Sequence, residues 1–159
     1  DQENKNQILK ELLAPYKENY HYILIDCPPS LGTITVNALT AADSVIIPIQ
    51  CEYYALEGLN QVLNTIGLVQ EGLNPDLDIE GIVFTMYDGR NKLSQQVVET
   101  VKQNFQGHVY DTLIPRNVRL AEAPSHGVPI TEYESSSTGA ESYRRLAAEL
   151  MSKGDDIYG

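Results

Sequence analysis

The sequence has no tryptophan and only two cysteines, Cys27 and Cys51. Two cysteines build no disulfide framework, and neither they nor the scattered His21, His108 and His126 show the spacing of metal ligands. Both thiols read as reduced, as in a cytosolic protein. Long apolar runs are missing as well, which excludes a membrane-spanning helix and predicts no membrane partner. Nothing has the pattern of a secretory signal. Basic residues are scarce: the formal net charge is −11 and no Lys or Arg occurs between Lys17 and Arg90. Such a charge speaks to solubility and steering rather than to fold. The first residue is Asp, not Met, which leaves a processed chain or a fragment open.

What the sequence does have is enough apolar material for a core. Hydrophobic residues make up 42% of 159 positions, which suits one globular domain, or part of one, spanning 1–159. Ile8, Leu9, Leu12 and Leu13 have helical spacing, and Pro15 should end that helix. Tyr22 to Ile25 is an apolar run without alternation and reads as a buried strand stopping at Asp26. Cys27-Pro28-Pro29-Ser30 is a loop. Gly32 to Ala42 reads as a helix, Ser44 to Ile49 as a strand, and Leu56 to Val69 as a strongly amphipathic helix. Gly81 to Met86, Leu93 to Phe105 and Val109 to Ile114 continue as strand, helix and strand. The stretch from Pro124 to Ser137 looks irregular. Thr138-Gly139-Ala140-Glu141 has the pattern of a capping box opening a last helix, with Gly154 just past its end. Strands alternating with helices predict an α/β fold, a mostly parallel sheet with helices on both faces.

Two features point to chemistry. In open α/β sheets, ligands bind at the carboxyl ends of strands, and a carboxylate there can hold Mg²⁺ beside a nucleotide. Asp26 is such a candidate, although a lone Asp in this place more often caps a loop. Second, Arg90, Lys92, Lys102, Arg116 and Arg119 follow one another in an otherwise acidic chain. An arginine fork suits phosphate contact, and its bland alternative is an ordinary solvated side chain.

The string from Tyr22 through Asp26-Cys27-Pro28-Pro29-Ser30-Leu31-Gly32 resembles the Walker B and switch II segment of ParA/Soj partition ATPases. The segment from Pro48 to Gly58 is similar to the stretch after that family's next strand. Ile114-Pro115-Arg116-Asn117-Val118-Arg119-Leu120-Ala121-Glu122-Ala123-Pro124-Ser125-His126-Gly127 is similar to its late loop. The resemblance covers about Tyr20 to Leu150. It implies a P-loop NTPase-like fold, with the family's phosphate-binding loop expected upstream of Asp1. Within the sequence no Gly is followed by Lys, and no Lys by Ser or Thr.

By that resemblance, Asp26 would position the Mg²⁺ of ATP, directly or through water, and Pro28 and Pro29 would belong to a switch sensing the γ-phosphate. Thr85, Met86 and Pro115 would lie near the base, although a strand-end Met or a turn Pro is more often packing. Arg90, Arg116 and Arg119 would contact DNA without sequence preference. Glu52 to Gly58 would face a second copy in a homodimer. The family implies a ParB-type partner and a cytoplasmic, nucleoid-associated place of work. The missing phosphate loop implies that this chain alone is inactive. A non-enzymatic module binding DNA or a partner remains the alternative. A phosphoacceptor receiver domain also places an Asp at a strand end, but its further acidic cluster and later Lys find no match.

Overall fold

The computed structural model describes residues 5–28, 30 and 32–158, with side chains to residue 152. The chain forms two compact units. One comprises residues 1–45 and 57–80, the other 46–56 and 81–159.

The first unit is helical. Helix α1 (Ile8–Leu13) passes into a 3-10 turn (Ala14–Asn19) that carries Pro15 in its first turn, so proline ends the α-helix as its missing N–H requires. Helix α2 (Thr33–Ala41) buries Thr35, Ala38, Leu39, Thr40 and Ala41. Asn37 ties α1 to α2, donating to the Lys5 carbonyl at 2.8 Å and accepting from the Leu9 N–H. The carbonyls at the end of α2 are left over by helix geometry. The amide of buried Asn74 donates to two of them, Leu39 at 3.0 Å and Ala42 at 2.8 Å. Helix α3 (Ala55–Gly72) buries Leu59, Ile66 and Val69, which recur at helical spacing.

The expected strand at Tyr22–Ile25 does not form. Among the described residues the sheet holds three strands, and this segment is not one of them. Apolar character alone does not make a strand, because each backbone N–H and C=O also needs a ladder partner. Without one the run joins no ladder, and Leu24 is 83% exposed.

The second unit contains most of the sheet, the first residues of its first two strands being counted with the first unit. Its strands are β1 (Ser44–Gln50), β2 (Asp78–Tyr87) and β3 (Val109–Pro115), in the order β1-β2-β3. Strands β2 and β3 run parallel, with Ile82 opposite Val109, Phe84 opposite Leu113 and Tyr87 opposite Pro115. Central β2 buries Gly81 through Phe84 consecutively, as expected of a strand covered on both faces. The register slips twice, between Ile82 and Phe84 and between Phe84 and Tyr87. Helix α4 (Lys92–Asn104) is capped by Asn91, whose side chain accepts from the Leu93 N–H.

Among the described residues, two apolar clusters pack in this unit. Val83, Tyr110 and Ile114 pack with Ile46, Leu120, Leu146 and Leu150, joining the sheet to helix α7 (Thr138–Tyr158). Ala123, Ile130 and Ala140 pack with Leu120 and Tyr133. The expected irregular stretch contains order: a 3-10 turn (Ala123–His126), ended by Gly127 at φ 67°, and helix α6 (Ile130–Tyr133). The late loop likewise contains helix α5 (Val118–Glu122), opened by Asn117.

The last helix begins at the expected cap itself, so its cap lies one residue earlier. Ser137, not Thr138, is the cap: its hydroxyl accepts from the Ala140 N–H at 3.1 Å, and its carbonyl accepts from Glu141 N–H at 3.0 Å. Thr138 instead accepts from the Asn117 amide at 2.8 Å. Gly154 does not end the helix, which runs on to Tyr158. One glycine costs a helix only about 1 kcal/mol.

Candidate functional site

Asp26 lies in the strandless segment and is exposed. Its charge nevertheless reaches its neighbour: partial burial first, then Asp26, pushes the Cys27 thiol up. Pro28 is exposed, while Pro29 and Leu31 lie outside the described residues. The far end of the loop is anchored on α2, where the Thr35 hydroxyl donates to the Ser30 carbonyl and the Val36 N–H to that of Gly32. Among the described residues no three His, Cys, Asp or Glu side chains gather as a metal cage. One open carboxylate still fits Mg²⁺, which keeps several waters and takes its other ligands from phosphates.

The carboxyl ends of the three strands are braced within the second unit. The Cys51 N–H donates to the Thr85 carbonyl at 3.0 Å, and the Arg116 N–H to that of Tyr87 at 2.9 Å. The Thr85 hydroxyl donates to the Ile49 carbonyl at 3.4 Å, and the Ser94 hydroxyl to that of Cys51 at 3.4 Å. Outside the ladder, the Arg116 guanidinium donates to Glu52 at 3.1 Å, linking the residues beyond β1 and β3. Met86 departs from strand geometry, with φ 53°. A side chain in that left-handed region costs energy unless its surroundings hold it. Thr85, Met86 and Pro115 thus do cluster at one end of the sheet. Burial pushes the Cys51 thiol up to about 11, so it is a packing group and not a nucleophile.

Each arginine singled out from the sequence holds a carboxylate. Arg90 forks onto Asp88, Nε to Oδ1 and Nη2 to Oδ2, both at 3.1 Å. The hydrogen bonds from Arg90 hold the Asp88 carboxyl below the usual range. Arg116 holds Glu52. Arg119 Nη1 donates to Glu122 Oε2 at 2.9 Å, and the Tyr133 hydroxyl donates to the same oxygen at 3.1 Å. Chiefly through Arg119, then Tyr133, the Glu122 carboxyl is also held low. His126 stacks on Tyr133 with ring centroids 4.7 Å apart. All three guanidinium side chains remain more than half exposed.

These carboxylate partners are what the sequence reading missed. Asp88 and Glu122 carried a signal, since they stand two and three residues from their arginines, and i,i+3 side chains on a helix meet. Glu52 and Arg116 are 64 residues apart and carried none. Arg119 also sits on a helix, where a loop was expected, because Asn117 satisfies the first N–H groups of that turn.

Comparison with known proteins adds kinship to this geometry. Residues 1–79 match the family model of the AAA domain. The chain is 62% identical over 146 residues to the sporulation initiation inhibitor protein Soj of Bacillus subtilis, covering 92% of this chain and 58% of that protein. It is 55% identical over 153 residues to the chromosome partitioning protein ParA of Myxococcus xanthus, covering 96% of this chain and 54% of the relative. The chain therefore spans little more than half the length of these relatives. Among solved structures, cobyrinic acid a,c-diamide synthase of Mycobacterium smegmatis with bound ADP and magnesium superposes with a TM-score of 0.75 at 37% identity, covering 92% of this chain and 53% of that one. The cell division ATPase MinD of Pyrococcus furiosus gives 0.71 at 24% identity, over 92% of this chain and 58% of its own. A McdA variant of Cyanothece in complex with ATP gives 0.78 at 20%, over 92% and 57%. The last two show the fold alone, that of MinD/ParA-type proteins: the alternation of strands and helices predicted its α/β class with a parallel sheet, and the family resemblance its P-loop NTPase type.

Proposed function

Because the chain belongs to the Soj/ParA family of chromosome-partitioning proteins, we propose that it is a segment of a partition ATPase, carrying its Mg²⁺ carboxylate and its DNA-facing arginines. In this reading residues 1–159 are part of a single nucleotide-binding domain. That domain works as a homodimer on nonspecific DNA in the cytoplasm, at the nucleoid, with a ParB-type protein as partner. The observation that carries the reading is identity of 55–62% to Soj and ParA relatives over more than nine-tenths of the chain. Structural neighbours solved with ADP and magnesium and with ATP support nucleotide and Mg²⁺ as cofactors.

Each group then has a task. Asp26 holds Mg²⁺, directly or through a water, and Pro28 with Pro29 stiffens the loop that senses the terminal phosphate. A magnesium ion held at Asp26 would supply the positive charge that neutralises charge developing in phosphoryl transfer. Thr85, Met86 and Pro115 shape the seat of the base at the strand ends. The segment from Glu52 to Gly58, with exposed Tyr53 and Tyr54, faces the second copy. Arg90, Arg116 and Arg119 present guanidinium groups to DNA phosphates. No Gly-Lys pair is present to cradle phosphate, so this chain by itself turns over no ATP.

The experiment is done in the complete protein. Asp26→Ala should abolish ATP turnover. Arg90→Ala and Arg119→Ala should each weaken binding to unrelated duplexes and lower the salt slope of log affinity by about one. Unchanged turnover in the first variant, or unchanged affinity and slope in the other two, refutes the corresponding assignment.

A further inference from the structure

Arg119 already has an anion. Glu122 Oε2 lies 2.9 Å from its Nη1, one helical turn along α5. The carboxylate does not hang free, because the Tyr133 hydroxyl donates to the same oxygen at 3.1 Å, and Tyr133 is itself stacked against His126. Glu122 is therefore anchored from the α6 side as well as from Arg119. A phosphate approaching this guanidinium meets a fixed negative charge where it must sit. A carboxylate and a phosphate use the same planar fork of N–H groups.

We propose that Glu122 is an internal competitor for DNA phosphate at Arg119, a residue that sets how weakly this face holds DNA. This rests on the reading of Arg119 as a phosphate contact. Binding exchanges the Arg119–Glu122 pair for an Arg119–phosphate pair, and leaves Glu122 on Tyr133 close to the bound phosphate. The residue thus acts through Arg119, as a positioning group, and keeps DNA release easy. The same arrangement recurs at Asp88 on Arg90 and at Glu52 on Arg116, but only Glu122 is pinned by a third side chain.

The test is a double-mutant cycle on binding to unrelated duplex DNA in the complete protein, using wild type, Glu122→Gln, Arg119→Ala and the double variant. Glu99→Gln, an exposed carboxylate on α4, controls for the added unit of net charge. An exposed pair of this kind corresponds to roughly a two- to fivefold change, so Glu122→Gln should tighten binding by that factor over Glu99→Gln. In the Arg119→Ala background the gain should vanish. If Glu122→Gln tightens binding no more than the control, or equally without Arg119, the competitor role is wrong while Arg119 can stand. If Arg119→Ala binds as wild type does, the phosphate contact itself is wrong, and the competitor with it.

Discussion

At Glu149 one carboxylate meets two main-chain donors, the N–H groups of Asp111 at 2.7 Å and Thr112 at 3.0 Å. Burial raises its carboxyl, but the hydrogen bonds from β3 outweigh that, and His108 at 4.0 Å adds to them, so the net direction is down. A depressed folded value means stability that is present above the unfolded value of about 4.3 and lost as pH falls through the folded one. Glu149→Gln should therefore cost about 1–2 kcal/mol at pH 7, and much less at an acidic pH below the lowered folded value, where the native carboxylate is itself protonated. Urea unfolding at the two pH values measures this, and an equal loss at both would refute the charge as the cause. None of this was legible beforehand. Glu149 lies 38 residues from Asp111, and its partners are backbone groups that every sequence contains. Asp26 could be singled out as a candidate because an apolar run followed by Asp and two prolines is a local pattern.

Elements were legible where their cause is local. Helices α2, α3 and α4 and strands β1 to β3 follow periodicity and composition, which neighbouring residues carry. The run Tyr22–Ile25 had the composition of a strand but not the partner, and pairing is a property of two segments. The opening of α7 failed differently. Ser135, Ser136, Ser137 and Thr138 stand in a row, every one of them a competent cap, so the pattern could not choose among them. The structure puts the cap at Ser137. Ser137→Ala should then destabilise the protein by about 1 kcal/mol, and Glu141→Gln by only a few tenths. Thermal melts of both variants decide it, and the reverse order would restore the capping box at Thr138.

At the scale of the whole molecule, apolar surface remains open. Tyr20, Tyr22 and Leu24 are exposed along a strandless stretch, and Ile8, Leu12 and Tyr16 are exposed just before it. Exposed apolar surface in this amount favours association. The isolated chain should associate as its concentration rises, and Leu24→Lys should reduce the effect. Light scattering across a dilution series checks it, and a uniform monomer at every concentration would overturn the expectation. The outer border of β3 behaves differently. Between Ile82 and Phe84 the central strand advances two residues while β3 advances from Val109 to Leu113, and the Asp111 and Thr112 N–H groups within that bulge go to Glu149. A foreign strand arriving there would find a kinked rail and a charged occupant to evict. The described sheet thus has a polarity of growth: it is sealed against runaway stacking on its β3 flank, and any lengthening by another chain has to start at β1.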